Sequence, residues 1–285
     1  MPIRYSCRNR GFTLVEAVIV IVITGVIGAI VAVFIRAPVQ AYFDTVRRAE
    51  LTDIADTAVR RMARDIQAAL PNSVRVDATS SFLEFLPIKT AGRYRAAVTD
   101  TGTGNPLDFD LSTPDSSFNV LGPNVDVQNG DQIVIYNLGI PGADGSDAYQ
   151  GTSRRAASAP FGSVSSISFS PAGTEFPFAS PGSRFQVIST PVSYVCQPDS
   201  SNPANGVLYR YSGYAIQTSQ PVTVAALDGY ANHVRATLAT NVSACWMTYT
   251  TVAQQHLGLV SIYLALTKDG ETVQLRYQVN VDNTP

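Results

Sequence analysis

The sequence predicts an α+β protein in which one long N-terminal helix packs on an antiparallel β-sheet with further β structure. Three observations predict it. An apolar run occupies residues 12–35, an amphipathic helical pattern continues to about residue 70, and from residue 73 short β-rich runs alternate with Gly, Pro, Asn, Asp and Ser. The chain has 285 residues, 45% hydrophobic and 15% charged, with a formal net charge of −2. Such a balance, with no basic stripe, argues against nucleic acid as the main partner.

The first element is a short basic flank, with Arg4, Arg8 and Arg10 and no acidic residue before position 12. The apolar run follows. Its 24 positions hold nineteen apolar residues, Thr13, Thr24, two glycines and one charge, Glu16. At 1.5 Å per residue this makes a helix of roughly 36 Å, enough to cross a hydrocarbon core of about 30 Å. It is too long for the apolar part of an ordinary signal peptide, and it excludes a wholly cytosolic soluble protein. Lys/Arg bias places the basic end in the cytoplasm and the rest outside it.

After Arg36, Ala37 and Pro38 the pattern becomes amphipathic. Apolar Val46, Leu51, Ile54, Ala58, Met62, Ile66 and Leu70 recur every three to five residues, while Arg47, Arg48, Glu50, Asp53, Asp56, Arg60, Arg61, Arg64 and Asp65 take the other faces. Interspersed acids make those arginines a solvated or subunit-facing surface. Pro71-Asn72-Ser73 ends the helix, because proline disfavours helical geometry in the residue before it. Pro38, Gly25 and Gly28 are the expected points of a kink or melted segment. One bent helix over residues 12–70 would span about 88 Å.

In the head, strands are expected at 73–76, 82–86, 93–98, 118–121, 132–138, 164–170, 184–189, 192–196, 207–212, 244–250, 257–267 and 272–281. The last two are joined by a tight turn at Asp269-Gly270. Segments 99–114, 141–160 and 198–206 read as exposed loops. Cys7 precedes the apolar run, which leaves Cys196 and Cys245 beyond it. In an oxidising compartment this pair reads as one disulfide, with two unconnected buried cysteines as the alternative.

No enzymatic signature appears: no Gly-x-Ser-x-Gly elbow, no HExxH, no phosphate-binding glycine loop. Gly102-Thr103-Gly104 reads as a turn. Asp144-Gly145-Ser146-Asp147 has carboxylates for calcium but not the spacing of an EF-hand, and reads as a solvated turn. His233 and His256 lie far apart and there is no CxxC, so no metal site and no cofactor is expected.

The junction Arg10-Gly11-Phe12-Thr13-Leu14-Val15-Glu16 resembles the processing site of type IV prepilins and type II secretion pseudopilins. The resemblance implies cleavage after Gly11 by the membrane prepilin peptidase and N-methylation of the new terminal Phe12. It also implies a registration role for Glu16, whose carboxylate would pair with the terminal amine of a neighbouring pilin subunit. A carboxylate inside a membrane helix is costly, so a partner of this kind has a physical motive. The plain alternative is a signal anchor with a tolerated acid. Proline is usual at the twenty-second mature position of such chains, which is Val33 here. The stem from Arg47 to Val76, together with Phe82-Leu83-Glu84-Phe85-Leu86-Pro87, Arg93-Tyr94-Arg95, the run from Gly130 to Gly139, and Arg184-Phe185-Gln186-Val187, is similar to minor pilins of the mannose-sensitive haemagglutinin (MSHA) system, the MshO type. This similarity implies a pilin-like fold with a leader at 1–11, a transmembrane and filament-core helix at 12–35, a stem at 36–70 and a β-rich head at 71–285. It further implies a non-enzymatic minor subunit at or near a filament tip, anchored in the inner membrane with its head periplasmic before assembly. Its partners would be other pilins, the peptidase, the assembly platform and membrane lipid. A type II secretion pseudopilin, a tip adhesin or ligand-binding module, and a signal-anchored periplasmic hydrolase are the competing expectations.

Overall fold

The computed structural model describes residues 11–110, 115–143, 145–171, 175–252 and 257–285. The basic flank with Cys7, Asp144 and His256 lies outside the described residues. The chain divides into two compact units, Met1–Glu50 and Leu51–Pro285.

In the first unit helix α1 (Leu14–Gln67) begins. Its apolar side chains face outward on every side: Ile21 is 70% exposed, Val33 71% and Phe34 75%. The helix is long and apolar enough to cross a membrane. It runs without interruption through Gly25, Gly28 and Pro38, contrary to the melted segment expected there. Pro38 removes one amide donor, and the backbone hydrogen bonds of the turns on either side keep the helix continuous. The Thr24 and Thr45 hydroxyls donate to the carbonyls of Val20 and Ala41 four residues back, at 2.7 and 2.8 Å, so neither is left unsatisfied in apolar surroundings.

In the second unit α1 contributes residues 51–67. Leu51, Ala55, Ala58, Val59, Met62, Ala63 and Ile66 are buried, an i, i+3, i+4 stripe. The helix stops at Gln67 rather than at residue 70, because the Leu70 amide donates to Leu86 O at 2.7 Å and Ala69 bridges Pro87. The strands follow in order: β1 (Arg75–Val76), β2 (Phe82–Phe85), β3 (Ile88–Tyr94), β4 (Ser117–Leu121), β5 (Val125–Val127), β6 (Gln132–Val134), β7 (Arg154–Ser158), β8 (Gly162–Val164), β9 (Ser166–Ser170), β10 (Arg184–Ile188), β11 (Val192–Gln197) and β12 (Val207–Ser212). Helix α2 (Val224–Gly229) precedes β13 (Val234–Thr240), β14 (Val242–Val252), β15 (Leu257–Lys268) and β16 (Glu271–Asp282).

These strands build a five-stranded sheet β1-β2-β11-β12-β13, a three-stranded sheet β14-β15-β16, a small pair β5-β8 and a closed six-stranded barrel β10-β3-β4-β9-β7-β6. The main core lies under α1. There Met62 and Ile66 pack in one cluster with Phe85, Tyr194 and Leu208 of the larger sheet and Met247, Ile262 and Leu264 of the smaller one. A second core fills the barrel with Phe118, Phe169, Phe185, Ile133, Ile167 and Val187. Phe118 sits edge-on to Phe185 at 5.3 Å. Full burial of each such side chain contributes about 1.5–3 kcal/mol. The chain enters the barrel at β3, leaves it at β10, and Ile88 and Ile188 at those two points are cross-strand partners.

Several expected boundaries shift. The strand expected at 93–98 is instead β3, ending at Tyr94. The strand expected at 132–138 stops at Val134, since Tyr136 adopts φ +51° and breaks the extended backbone. The loop expected at 141–160 contains β7 and buries Ala148, Tyr149 and Ser153. The sequence Arg-Arg-Ala-Ala-Ser is a poor strand by composition, and it is a strand because β6 and β9 flank it on both sides. Gly145 and Ser146 are also buried, so the turn at 145–147 is not solvated as expected; the Asp147 carboxylate accepts from the Tyr149 amide at 2.7 Å. The turn at Asp269-Gly270 has φ +51° and +85°, the left-handed pair that a two-residue hairpin requires.

Candidate functional site

The residues singled out at the N-terminal junction stand together at the start of α1. Gly11 is exposed and precedes the helix, and a Cβ there would meet nothing within 4 Å. Among the described residues nothing packs against that position to call for glycine. Phe12 is 79% exposed. Thr13 caps the helix: the Glu16 amide donates to Thr13 Oγ1 at 3.3 Å, and the Thr13 amide and hydroxyl both reach back to Glu16 Oε2 at 3.4 Å. This reciprocal pattern is a capping box, which satisfies amides at a helix start that have no partner in the helix.

The box also explains how a carboxylate is tolerated here. Glu16 lies in the first turn, where the helix dipole favours negative charge. Sequence reasoning identified Glu16 from its isolation among apolar residues but missed the Thr-x-x-Glu spacing that ties it to Thr13. That signal was in plain view. The same carboxylate thus has an intrachain partner before any intermolecular one.

In the second unit the structure joins Cys196, at the end of β11, to Cys245 of β14, with Cα atoms 6.0 Å apart and a separation of 49 residues. The bridge links the two sheets beneath α1. Asp65, expected on the polar face of the stem, instead turns to the five-stranded sheet. It accepts from the Tyr194 hydroxyl at 2.7 Å and from Arg210 Nε at 2.8 Å. Burial raises the Tyr194 hydroxyl's pKa, and the Asp65 charge raises it further.

The densest polar network centres on Glu84 in β2, which is fully buried. Arg75 approaches one carboxylate oxygen with Nε at 2.9 Å and Nη2 at 2.8 Å, and the Tyr214 hydroxyl donates to the other at 3.1 Å. The Arg75 guanidinium lies 3.6 Å from the centroid of Tyr149, and its remaining donors go to the carbonyls of Gln217 and Thr218. Burial pushes the Glu84 carboxyl above its ordinary value, with Arg75 opposing that shift. Both carboxylate oxygens of Glu84 are occupied by these intrachain partners. It locks β1 and β2 to the segment after β12. Among the described residues no group of three or more His, Cys, Asp or Glu is arranged to hold a metal ion.

The prokaryotic N-terminal methylation motif matches residues 6–32 of the chain, and so takes in Gly11, Phe12 and Glu16. No curated protein and no solved structure matches the chain.

Proposed function

We propose that this chain is a prepilin-type minor subunit, cleaved after Gly11, N-methylated on Phe12, and built into a filament through the N-terminal part of α1. The observation that carries the reading is the methylation motif over residues 6–32, placed where an exposed Gly-Phe junction meets a capped helix that is apolar but for Glu16 and Thr24 through residue 35. Cleavage would leave the new amine on Phe12, one residue before the helix cap. Its positive charge would then sit beside the carboxylate of Glu16 of its own or a neighbouring chain. Glycine at position 11 suits a protease cleft that accepts an extended backbone without a side chain.

The apolar surface around residues 14–35 is far larger than a soluble monomer exposes, so it needs an apolar surrounding. The inner membrane supplies one before assembly, with the head periplasmic, and neighbouring pilin helices supply another afterwards. The similarity of the stem and of the Phe82–Pro87 and Arg184–Val187 segments to MshO-type minor pilins favours the MSHA type of pilus, with the head at or near the tip in support of assembly and adhesion. The test is the intact mass of the native protein. The reading expects a chain beginning at Phe12 and carrying one added methyl group; a retained leader or another first residue overturns it.

A further inference from the structure

The two edges of the three-stranded sheet differ. The outer edge of β14 is covered: the Met247 amide donates to Ser80 O at 2.8 Å, the Val242 amide to Gly206 O at 3.1 Å, and Val242 O accepts from the Asp199 amide at 3.0 Å. The outer edge of β16 is bare. Among the described residues, every backbone hydrogen bond of residues 272–281 runs to β15. The register to β15 is continuous over twelve pairs with no bulge, and residues 272–281 contain neither proline nor lysine. Of the devices that ordinarily keep an edge from pairing, bulges, proline and charge, the only one along 272–281 is the single charge of Arg276. Ten residues at about 3.4 Å each make an open edge of roughly 34 Å.

The side chains along this edge describe what it would accept. On the core-facing side Val273 and Leu275 are half-buried and keep apolar surface, while Tyr277, 42% exposed, borders a hollow lined by Thr57, Arg60, Arg64 and Gln67 of α1. On the outer side stand Thr272, Gln274, Arg276, Gln278 and Asn280. Arg276 is the only charge from 272 to 281, and no carboxylate pairs with it among the described residues. Its guanidinium lies over Tyr263 at 5.4 Å, and Tyr263 stacks on Trp246 at 5.5 Å. A cation held at mid-edge on an aromatic stack is a fixed recognition point.

We propose that β16 is a docking edge that takes an extended segment of another protein as an additional strand. The segment is apolar on the face toward the core and carries a carboxylate opposite Arg276. Strand addition of this kind draws affinity from main-chain hydrogen bonds and specificity from alternate side chains. A second copy of this chain fits less well, because its own residues 272–281 bring another Arg276 and no carboxylate to the pairing.

Hydrogen exchange on the full chain in detergent micelles tests the proposal. The probe is a synthetic decapeptide alternating valine with threonine, with glutamate at the central polar position; its control carries lysine there. Expected are slowed exchange confined to residues 272–281, affinity for the glutamate peptide greater by roughly fivefold, and a reversed preference in Arg276→Glu. Gln278→Lys, on the same outer side, adds a second cation and should leave the preference for the glutamate peptide in place. Absent protection at β16, or equal affinity for the two peptides, overturns the proposal. So does efficient disulfide cross-linking of Tyr277→Cys chains to one another, which would make the occupant a second copy. None of these outcomes depends on where the leader is cleaved.

Discussion

Removing Arg75 while leaving Glu84 in place isolates the energetics of the buried network. Glu84 has no solvent exposure, and Arg75 is its sole cationic partner among the described residues, with two donors at 2.8–2.9 Å. Arg75→Ala therefore strands a buried carboxylate, which costs about 3–5 kcal/mol. For a unit of this size that corresponds to a fall in Tm of roughly 6–20 °C. The pH dependence carries the diagnostic. The folded-state pKa of Glu84 is already raised by burial and opposed by Arg75, so loss of Arg75 raises it further. A carboxyl whose folded pKa lies above its unfolded value penalises the native state fully above the folded pKa, and the penalty vanishes below the unfolded one. The deficit of Arg75→Ala relative to wild type should thus be largest near pH 7 and shrink toward pH 4. Replacing both partners by apolar residues, Arg75→Met with Glu84→Leu, should recover at least half of it, because no charge is then left buried. The assay is urea unfolding of the full chain in micelles, followed by near-ultraviolet circular dichroism at several pH values. A deficit under about 1 kcal/mol, or one that does not change with pH, would refute the reasoning.

Five further outcomes follow from the geometry. Gly11→Val should leave the fold untouched, since open space surrounds that position, and should block leader removal as read by intact mass. Glu16→Ala should permit cleavage yet lower incorporation into sheared filaments; Thr13→Ala, which removes only the cap, should lose about 1 kcal/mol of helix-end stability and reduce amide protection at residues 14–17. Reduction of Cys196–Cys245, or Cys196→Ser with Cys245→Ser, should destabilise the second unit by about 4 kcal/mol in the chain-entropy model for a 49-residue separation, visible as a lower urea midpoint. Met62→Ala should cost about 2–5 kcal/mol through the cavity it leaves beneath α1, again by urea unfolding.

Legibility in the sequence followed the range of the interactions involved. Helix α1 and its buried stripe were readable because periodicity is local, and the hairpin at Asp269-Gly270 was readable because its backbone needs two residues with positive φ. The barrel was not. β7 has neither branched nor aromatic residues, and β5, β13 and α2 are short or mostly exposed; each owes its state to distant neighbours. Asp65 looked like a solvated stem residue because nothing near it in sequence announces Tyr194 or Arg210. At the junction, Gly11, Phe12 and Glu16 stood out by contrast with their surroundings, whereas the Thr13 cap was overlooked because threonine in an apolar run draws no attention.

The adjacency of Ile88 and Ile188 bears on how such a chain can change. The 99 residues between them belong to a cassette whose entry and exit points touch, inserted between β2 and β11, which are themselves paired. Excising the cassette and rejoining β2 to β11 through a short turn would leave the sheet under α1 with its strand order intact. Whatever the barrel displays to the surroundings can therefore be exchanged or enlarged while the strand order of the helix-bearing half is kept.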